Sequence, residues 1–412
     1  MSAIGLLQRA LRKYKQDGVR SFLKEGKYSF FESKPVRSVL RYQILEKNGM
    51  KPIVYDDLPE LSQPVDTIWE VFDDDQRAAV PDPIPPKTRI SKTRSFDQVE
   101  THSPVSPIVI EIRDCRLLHP FGLTLCEQGV LPETIAKSTS PSSRVGKALS
   151  KSVSDHGYRE VDNFISGQYP DSLESLPVAT PLLPLWGNYY HWTIECLPRL
   201  AGVERHQNKT GVKPTIIIPE NPSSWMLESL ELLGIDDDRL HPLEDHCTVD
   251  QLVVPTHPGP TVAECEWVRD QMHDAVDYPT IANDTANNRI YISRRNATRR
   301  RVKNEREVAD LLRSRGFDRY VLEELSVSDQ IALFANAEVI IAPHGAGLAN
   351  IVYSEFSSII ELFGDSKKTT FYRLAELLGH DYQYTHNPTK FGDIVVNLER
   401  LEQCLTKAGL EE

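Results

Sequence analysis

Glu338-Val-Ile-Ile-Ala-Pro-His-Gly-Ala-Gly-Leu-Ala-Asn350 is the stretch from which the fold can be read. Val339 to Ile341 is a short β-branched run, the mark of a strand buried in a parallel sheet. Pro343 has no N–H and ends it. His344, Gly345 and Gly347 then predict a turn into a helix, with glycines that tolerate positive φ and let backbone N–H groups approach a ligand. A helix starting at the carboxyl edge of a parallel sheet attracts anions, because its first N–H groups lack intrahelical partners. The stretch is thus a candidate cradle for a phosphate or diphosphate. The same pattern also serves as plain connection.

Strand and helix signals alternate on both sides of it. Upstream, Arg289 to Ser293 reads as a strand, and Asn304 with Glu307 as a capping box for a helix ended by Gly316. Tyr320 to Leu322 is a further strand, and Ser326 with Asp329 starts another helix. Downstream come the strand Ser358 to Phe363, a helix from Thr369 to Leu378, and an amphipathic helix over 396–405. Earlier in the chain, Thr215 to Ile218, Ser223 to Leu233 and Gln251 to Val254 form a β-α-β unit. Ile108 to Ile112 alternates as a strand before a hairpin region, and the Ser-rich 134–175 carries no clear period. The pattern predicts an α/β protein with two Rossmann-like, doubly wound domains facing one another, over 106–280 and 281–412.

The N-terminal quarter is different. Residues 1–52 hold 12 Lys/Arg against 4 Asp/Glu, with Ile4, Leu7, Leu11 and Tyr14 at helical spacing. Such a segment can lie on an anionic membrane through residues 1–30, or dock on the body of the protein. Residues 53–105, with Asp73-Asp-Asp75 and Pro81-Asp-Pro-Ile-Pro-Pro86, read as a linker or surface wrap. The net charge of −12 over 412 residues argues against general nucleic-acid binding. Six cysteines without a CxxC spacing point to reduced, buried thiols. No apolar run is long enough to span a bilayer and no export signal opens the chain, so a cytoplasmic location is expected, peripheral to the membrane if the N-terminal segment binds it. On that expectation the sequons at Asn208, Asn283 and Asn296 are chance matches.

Three sets of residues carry candidate chemistry. The basic loop Arg294 to Arg301 follows a strand, where doubly wound folds bind ligands, and arginines suit phosphate; charge runs are also commonly solvated loops. His191 and Glu195 lie four apart on a predicted helix that begins after Gly187-Asn188. They suit a base and its orienting carboxylate, a buried hydrogen-bonded pair, or two ligands of a metal lacking its third. Glu361, on a buried strand running to the same sheet edge, is placed to hold ribose hydroxyls. The triplet Asp236-Asp-Asp238 falls at a helix end away from that edge and is set aside as loop charge.

Taken together the chain resembles the family 61 glycosyltransferases. The resemblance rests on Asn188-Tyr-Tyr-His-Trp192 with Glu195 and Pro198-Arg199, then Ser293-Arg294 and Arg300-Arg301-Val-Lys-Asn304-Glu305, then Gln330, Leu333-Phe334 and Ala337, then Ala342 to Asn350 and Glu361-Leu362. It implies a GT-B architecture, with the acceptor held mainly by the first domain and a nucleotide-sugar, UDP-linked, by the second. It also implies an inverting, metal-independent transfer with no cofactor. Arg294, Arg300, Arg301, Asn304, His344, Gly345, Ala346, Gly347, Asn350 and Glu361 would then bind the donor. Asn188, Tyr190 and Trp192 would face a glycan or glycolipid acceptor. His191, with Glu195 behind it, would take the acceptor's proton. A non-catalytic, membrane-associated subunit of a polysaccharide assembly complex is the rival expectation.

Overall fold

The computed structural model describes residues 37, 40–53, 69–72, 106–135, 141–276, 288–365 and 368–410. The amphipathic reading of residues 1–30 and the Asp73–Asp75 run lie outside these, as does most of the 53–105 segment. Of the N-terminal part that is described, Leu40, Ile44 and Leu45 are buried against the body of the protein.

The first half comprises β1 (Trp69–Glu70), β2 (Ile108–Leu118), β3 (Leu123–Cys126), β4 (Gly129–Leu131), α1 (Pro141–His156), α2 (Tyr158–Ile165), β5 (Ser175–Pro181), α3 (Arg199–Thr210), β6 (Thr215–Pro219), α4 (Ser224–Leu232), β7 (Leu240–Leu243), β8 (Cys247–Pro255) and α5 (Val262–Ala275). Its eight strands form one sheet in the order β4-β3-β2-β8-β5-β6-β7, with β1 against β2. Strands β8, β5, β6 and β7 run parallel, while β1 to β4 are antiparallel to their neighbours. The expected doubly wound parallel sheet is therefore a mixed one here. Hairpins β2–β3 and β3–β4 need only tight turns, whereas a parallel continuation would need crossover helices that the sequence between them is too short to supply.

The second half comprises β9 (Arg289–Ile292), α6 (Glu305–Ser314), β10 (Asp318–Tyr320), α7 (Val327–Ala335), β11 (Val339–Pro343), β12 (Ser358–Phe363), α8 (Thr370–Leu377), β13 (Asp381–His386), the small hairpin β14 (Thr389–Lys390) and β15 (Asp393–Ile394), and α9 (Leu398–Lys407). Its five strands are all parallel in the order β10-β9-β11-β12-β13. Numbered within the sheet that order is 2-1-3-4-5, so the strand order reverses between β9 and β11. At such a switch point the loops leaving the two strands diverge and open a crevice at their carboxyl ends.

Both faces of this sheet are covered, as a parallel sheet requires. Side chains alternate along each strand. Tyr291, Ile341, Ile360 and Leu362 join Val308 and Leu312 of α6 and Leu401 and Leu405 of α9. Ile290, Ile292, Ile340, Ile359 and Phe363 face the other way, into a core shared with Trp192, Leu200, Ile216, Met226 and Val268 of the first half. Glu361 lies between Ile359 and Phe363 in this alternation and so points to the shared side. The described halves are joined by one continuous apolar core, to which each buried Ile, Leu or Phe adds about 1.5–3 kcal/mol.

Capping differs in detail from the expected pattern. Ser326 accepts from the Asp329 N–H and starts α7 as read. Asn304 leaves α6 uncapped; its amide instead exchanges two bonds of 2.9 Å with the Val396 backbone. A full capping box, Thr261 with Glu264, opens α5. The six cysteines are buried free thiols, and no described helix is long and apolar enough to cross a membrane.

Candidate functional site

The loops leaving β9 and β11 meet at the switch point. Gly345 is extended, with φ 178°, a conformation open to any residue. Its glycine identity is dictated by contact: a Cβ there would overlap the Arg294 guanidinium. Gly347 is excluded from bearing a side chain in the same way, since a Cβ would come within 2.6 Å of Leu322 Cδ1. The expectation that these glycines supply positive φ is thus replaced by close approach. Beyond Gly345 the chain turns into a helix as read, in the 3-10 form, over Ala346–Tyr353.

Electrostatics separate the arginines of the basic loop. Arg295 reaches Glu324 at 2.8 Å, and Arg301 reaches Asp393 at 2.8 Å. Among the described residues no carboxylate lies within ion-pair distance of Arg294 or Arg300. Arg294 Nε is buried without a partner. Burial, and next the charge of Arg300, lower the Arg294 guanidinium to about 10, with Glu323 acting the other way. Burial, and then the charge of Arg299, also lower the Arg300 guanidinium, while Glu361 offsets part of this. Arg300 has φ 59°, a left-handed conformation that a non-glycine residue adopts only when its surroundings impose it. Here Arg300 N–H donates to the Gly392 carbonyl at 3.1 Å, and Arg301 bonds Asp393 beside it. Two half-buried guanidinium groups short of counter-charge, at the crevice of a parallel sheet, make a candidate site for an anion.

His344, next in line, is held from behind. Its Nδ1 pairs with Glu361, whose other oxygen accepts from the Tyr382 hydroxyl. Glu361 is fully buried, with the same register as Ala342 on the neighbouring strand. The ribose role read for Glu361 would require the side chains that bury it to move aside. The His344 ring stacks on Phe363 at 5.3 Å and tilts against Phe371 at 5.4 Å.

The opposite wall is a π-helical turn, His191–Cys196. Leu197 N–H reaches back five residues to Trp192, and Pro198 follows without an N–H to restore the ordinary ladder. His191 Nδ1 and Glu195 Oε2 are 2.8 Å apart, and Trp186 tilts against the imidazole at 5.1 Å. The turn is anchored by the buried Arg199, which donates to the carbonyls of Glu195, Glu133 and Pro255 at 2.9–3.1 Å. Tyr190 stands edge-on to His191 at 5.3 Å and to Phe371 at 5.6 Å, so two aromatic rings span the space between His191 and His344. Burial, then the Glu195 charge, raises the Tyr190 phenol and keeps it neutral.

Residues 189–360 match the family model described as Glycosyltransferase 61. That segment is a family 61 glycosyltransferase domain. The matched segment runs from one wall of the site to the other, Tyr190 to Asn350, with Asn188 and Glu361 just outside it. No curated protein matches the chain. Among solved structures, rubredoxin oxygen:oxidoreductase (ROO) from the anaerobe Desulfovibrio gigas is similar at 17% identity, over 54% of this chain and 50% of that one, with a TM-score of 0.21. That likeness is too loose to carry an argument.

In and around this glycosyltransferase 61 domain the structure sorts the residues read from sequence. Arg294, Arg300, His344, Gly345, Ala346 and Gly347 gather at the switch point. His191, Glu195, Tyr190 and the exposed Asn188, which accepts from His191 N–H at 3.3 Å, form the facing wall. Four others are turned to structural use. Trp192 is 1% exposed and donates to Ser229 at 2.8 Å, leaving no face for an acceptor. Asn350 is buried and donates to Gln330 at 2.9 Å. Asn304 and Arg301 pin the 393–396 segment. Phe371, Tyr382, Trp186 and Glu133 escaped the sequence reading. Only Arg199 carried a signal, through the Pro198-Arg199 motif.

Proposed function

We propose that this glycosyltransferase has the two-domain GT-B arrangement and moves a sugar from a UDP-sugar onto a surface polysaccharide, glycolipid or other glycan, with inversion and without a metal ion. The observation that supports the donor assignment best is the pair Arg294 and Arg300, short of counter-charge at the β9/β11 switch point. Their guanidinium groups supply the positive charge that stabilises the departing diphosphate. His191 takes the proton of the acceptor hydroxyl, with Glu195 holding its ring and stabilising the imidazolium. The acceptor oxygen attacks the anomeric carbon from the face opposite the leaving group. The bond from that carbon to the diphosphate oxygen breaks, and UDP departs with the electron pair. His344, oriented by Glu361 and Tyr382, contacts the phosphate or the sugar.

On this reading the protein works at the cytoplasmic face of the membrane, where nucleotide-sugars are at hand. A panel of UDP-sugars offered with the purified full chain, with UDP release followed over time, tests the assignment. Release from at least one donor, lost in Arg294→Ala, is expected. No release from any UDP-sugar, while another nucleotide-sugar is turned over, would overturn the UDP assignment.

A further inference from the structure

Away from the crevice, the end of α1, the start of α2 and the β7–β8 loop bring together His156, Glu160, Asp245 and His246. One ligand atom of each lies within 4.8 Å of all the others. His156 Nδ1 is 3.3 Å from Glu160 Oε1 and 3.7 Å from Asp245 Oδ1, spacings close to the edges of a four-coordinate shell with bonds of about 2.0–2.2 Å. His156 is the last residue of α1, where the helix dipole favours a cation.

The protons of this cluster can be placed by geometry. His119 N–H donates to His246 Nδ1 at 3.0 Å, so the His246 ring is neutral and carries its proton on Nε2. His246 is 4% exposed, and that Nε2–H has no partner. His119 Nδ1 and His156 Nε2 are 2.8 Å apart, and one must donate. If His119 donates, its Nε2 lone pair is left facing the Glu220 carboxylate at 3.8 Å, which is repulsive. If His156 donates, His119 carries its proton on Nε2 on the side of the Glu220 carboxylate, a favourable charge–dipole arrangement without a hydrogen bond, and the His156 Nδ1 lone pair faces two carboxylates. A lone pair between two carboxylates calls for a positive charge among them.

We propose that His156 Nδ1, Glu160 and Asp245 bind one divalent cation of the zinc class, with His246 donating its Nε2–H to a water on that cation. One imidazole and two carboxylates, with an open position, suit a borderline ion such as Zn2+. His119 is the outer partner that fixes the His156 tautomer, as ligating histidines require. The site is independent of the diphosphate crevice and ties α1, α2 and the β7–β8 loop together.

The test uses the full chain, stripped with chelator and then titrated with Zn2+ against a chromophoric competitor, with bound metal counted by mass spectrometry after gel filtration. One zinc per chain and a rise in Tm on adding zinc are expected. Glu160→Gln, at an exposed position that should not disturb folding, weakens zinc binding about tenfold or more, as does His156→Ala. His241→Ala, outside the cluster, leaves it unchanged. Stripped protein that takes up no zinc and shows no Tm change would mean that a proton alone fills the cluster, and the proposal fails. Zinc uptake unaltered in Glu160→Gln and His156→Ala would place the metal elsewhere and overturn it equally.

Discussion

The Arg294 guanidinium rests against the α-carbon of Gly345, so closely that even a methyl group at that position would overlap it. The two residues come from different loops of the parallel sheet, and their contact closes the β9/β11 crevice on one side. Gly345→Ala should therefore displace Arg294 while leaving the extended backbone unstrained. Charge-assisted hydrogen bonds contribute about 1.5–3 kcal/mol, so UDP affinity should fall about 10–100-fold with little change in Tm. Calorimetric titration with UDP and a thermal melt on the same sample check both halves.

Removal of the facing imidazole should act on rate alone. His191→Ala is expected to lower turnover about 10²–10⁴-fold, the usual contribution of a general base, with UDP affinity unchanged. Steady-state transfer rates with a UDP-binding control measure this; turnover near that of the native protein would remove His191 from the chemistry.

Asn304 and Asn350 should behave as structural residues. Asn304→Ala strips the Val396 backbone of two bonds, and Asn350→Ala takes the donor from Gln330 Oε1 in the core. Each should lower stability by about 1–3 kcal/mol without touching UDP affinity. Denaturant titration beside UDP calorimetry distinguishes this from a donor-binding role.

How far the sequence discloses all this depends on which half is considered. The second sheet is legible because its strands are buried on both faces and read as unbroken runs such as Val339 to Ile341, separated by helices with their own boundary signals. Strand β13 is the exception: Asp381, Gln383 and Thr385 give it a polar look, although Gln383 and Thr385 are buried. With it went Tyr382 and the clamp on Glu361. The first half hides more. Ser150, Ser152 and Ser154 of α1 are buried, and serine gives no apolar period to detect. In the basic loop Arg294 and Arg301 look alike, because what separates them is Asp393, 92 residues from Arg301 and fixed in place only by the fold.

A pH effect on stability follows from His380. Its Nδ1 accepts from Ser357 N–H and its Nε2–H donates to the Ile351 carbonyl, so the neutral ring is fully used. Burial lowers its pKa to about 4 from an ordinary value of 6.5. The unfolded chain therefore binds the extra proton first, and the stabilisation present above pH 6.5 is lost as pH falls towards 4. The loss should reach about 3 kcal/mol at about 1.36 kcal/mol per unit. Denaturant titrations at neutral pH and near the lower value should show it in the native protein and much less of it in His380→Gln.

The central claim is that Arg294 holds the donor diphosphate. Calorimetric titration of UDP into the native protein and into Arg294→Ala addresses it most directly. The prediction is one UDP per native chain and affinity lower by about 10–100-fold in the variant, with an unchanged melt. Equal affinity in the two proteins, or no UDP binding to either, would contradict it.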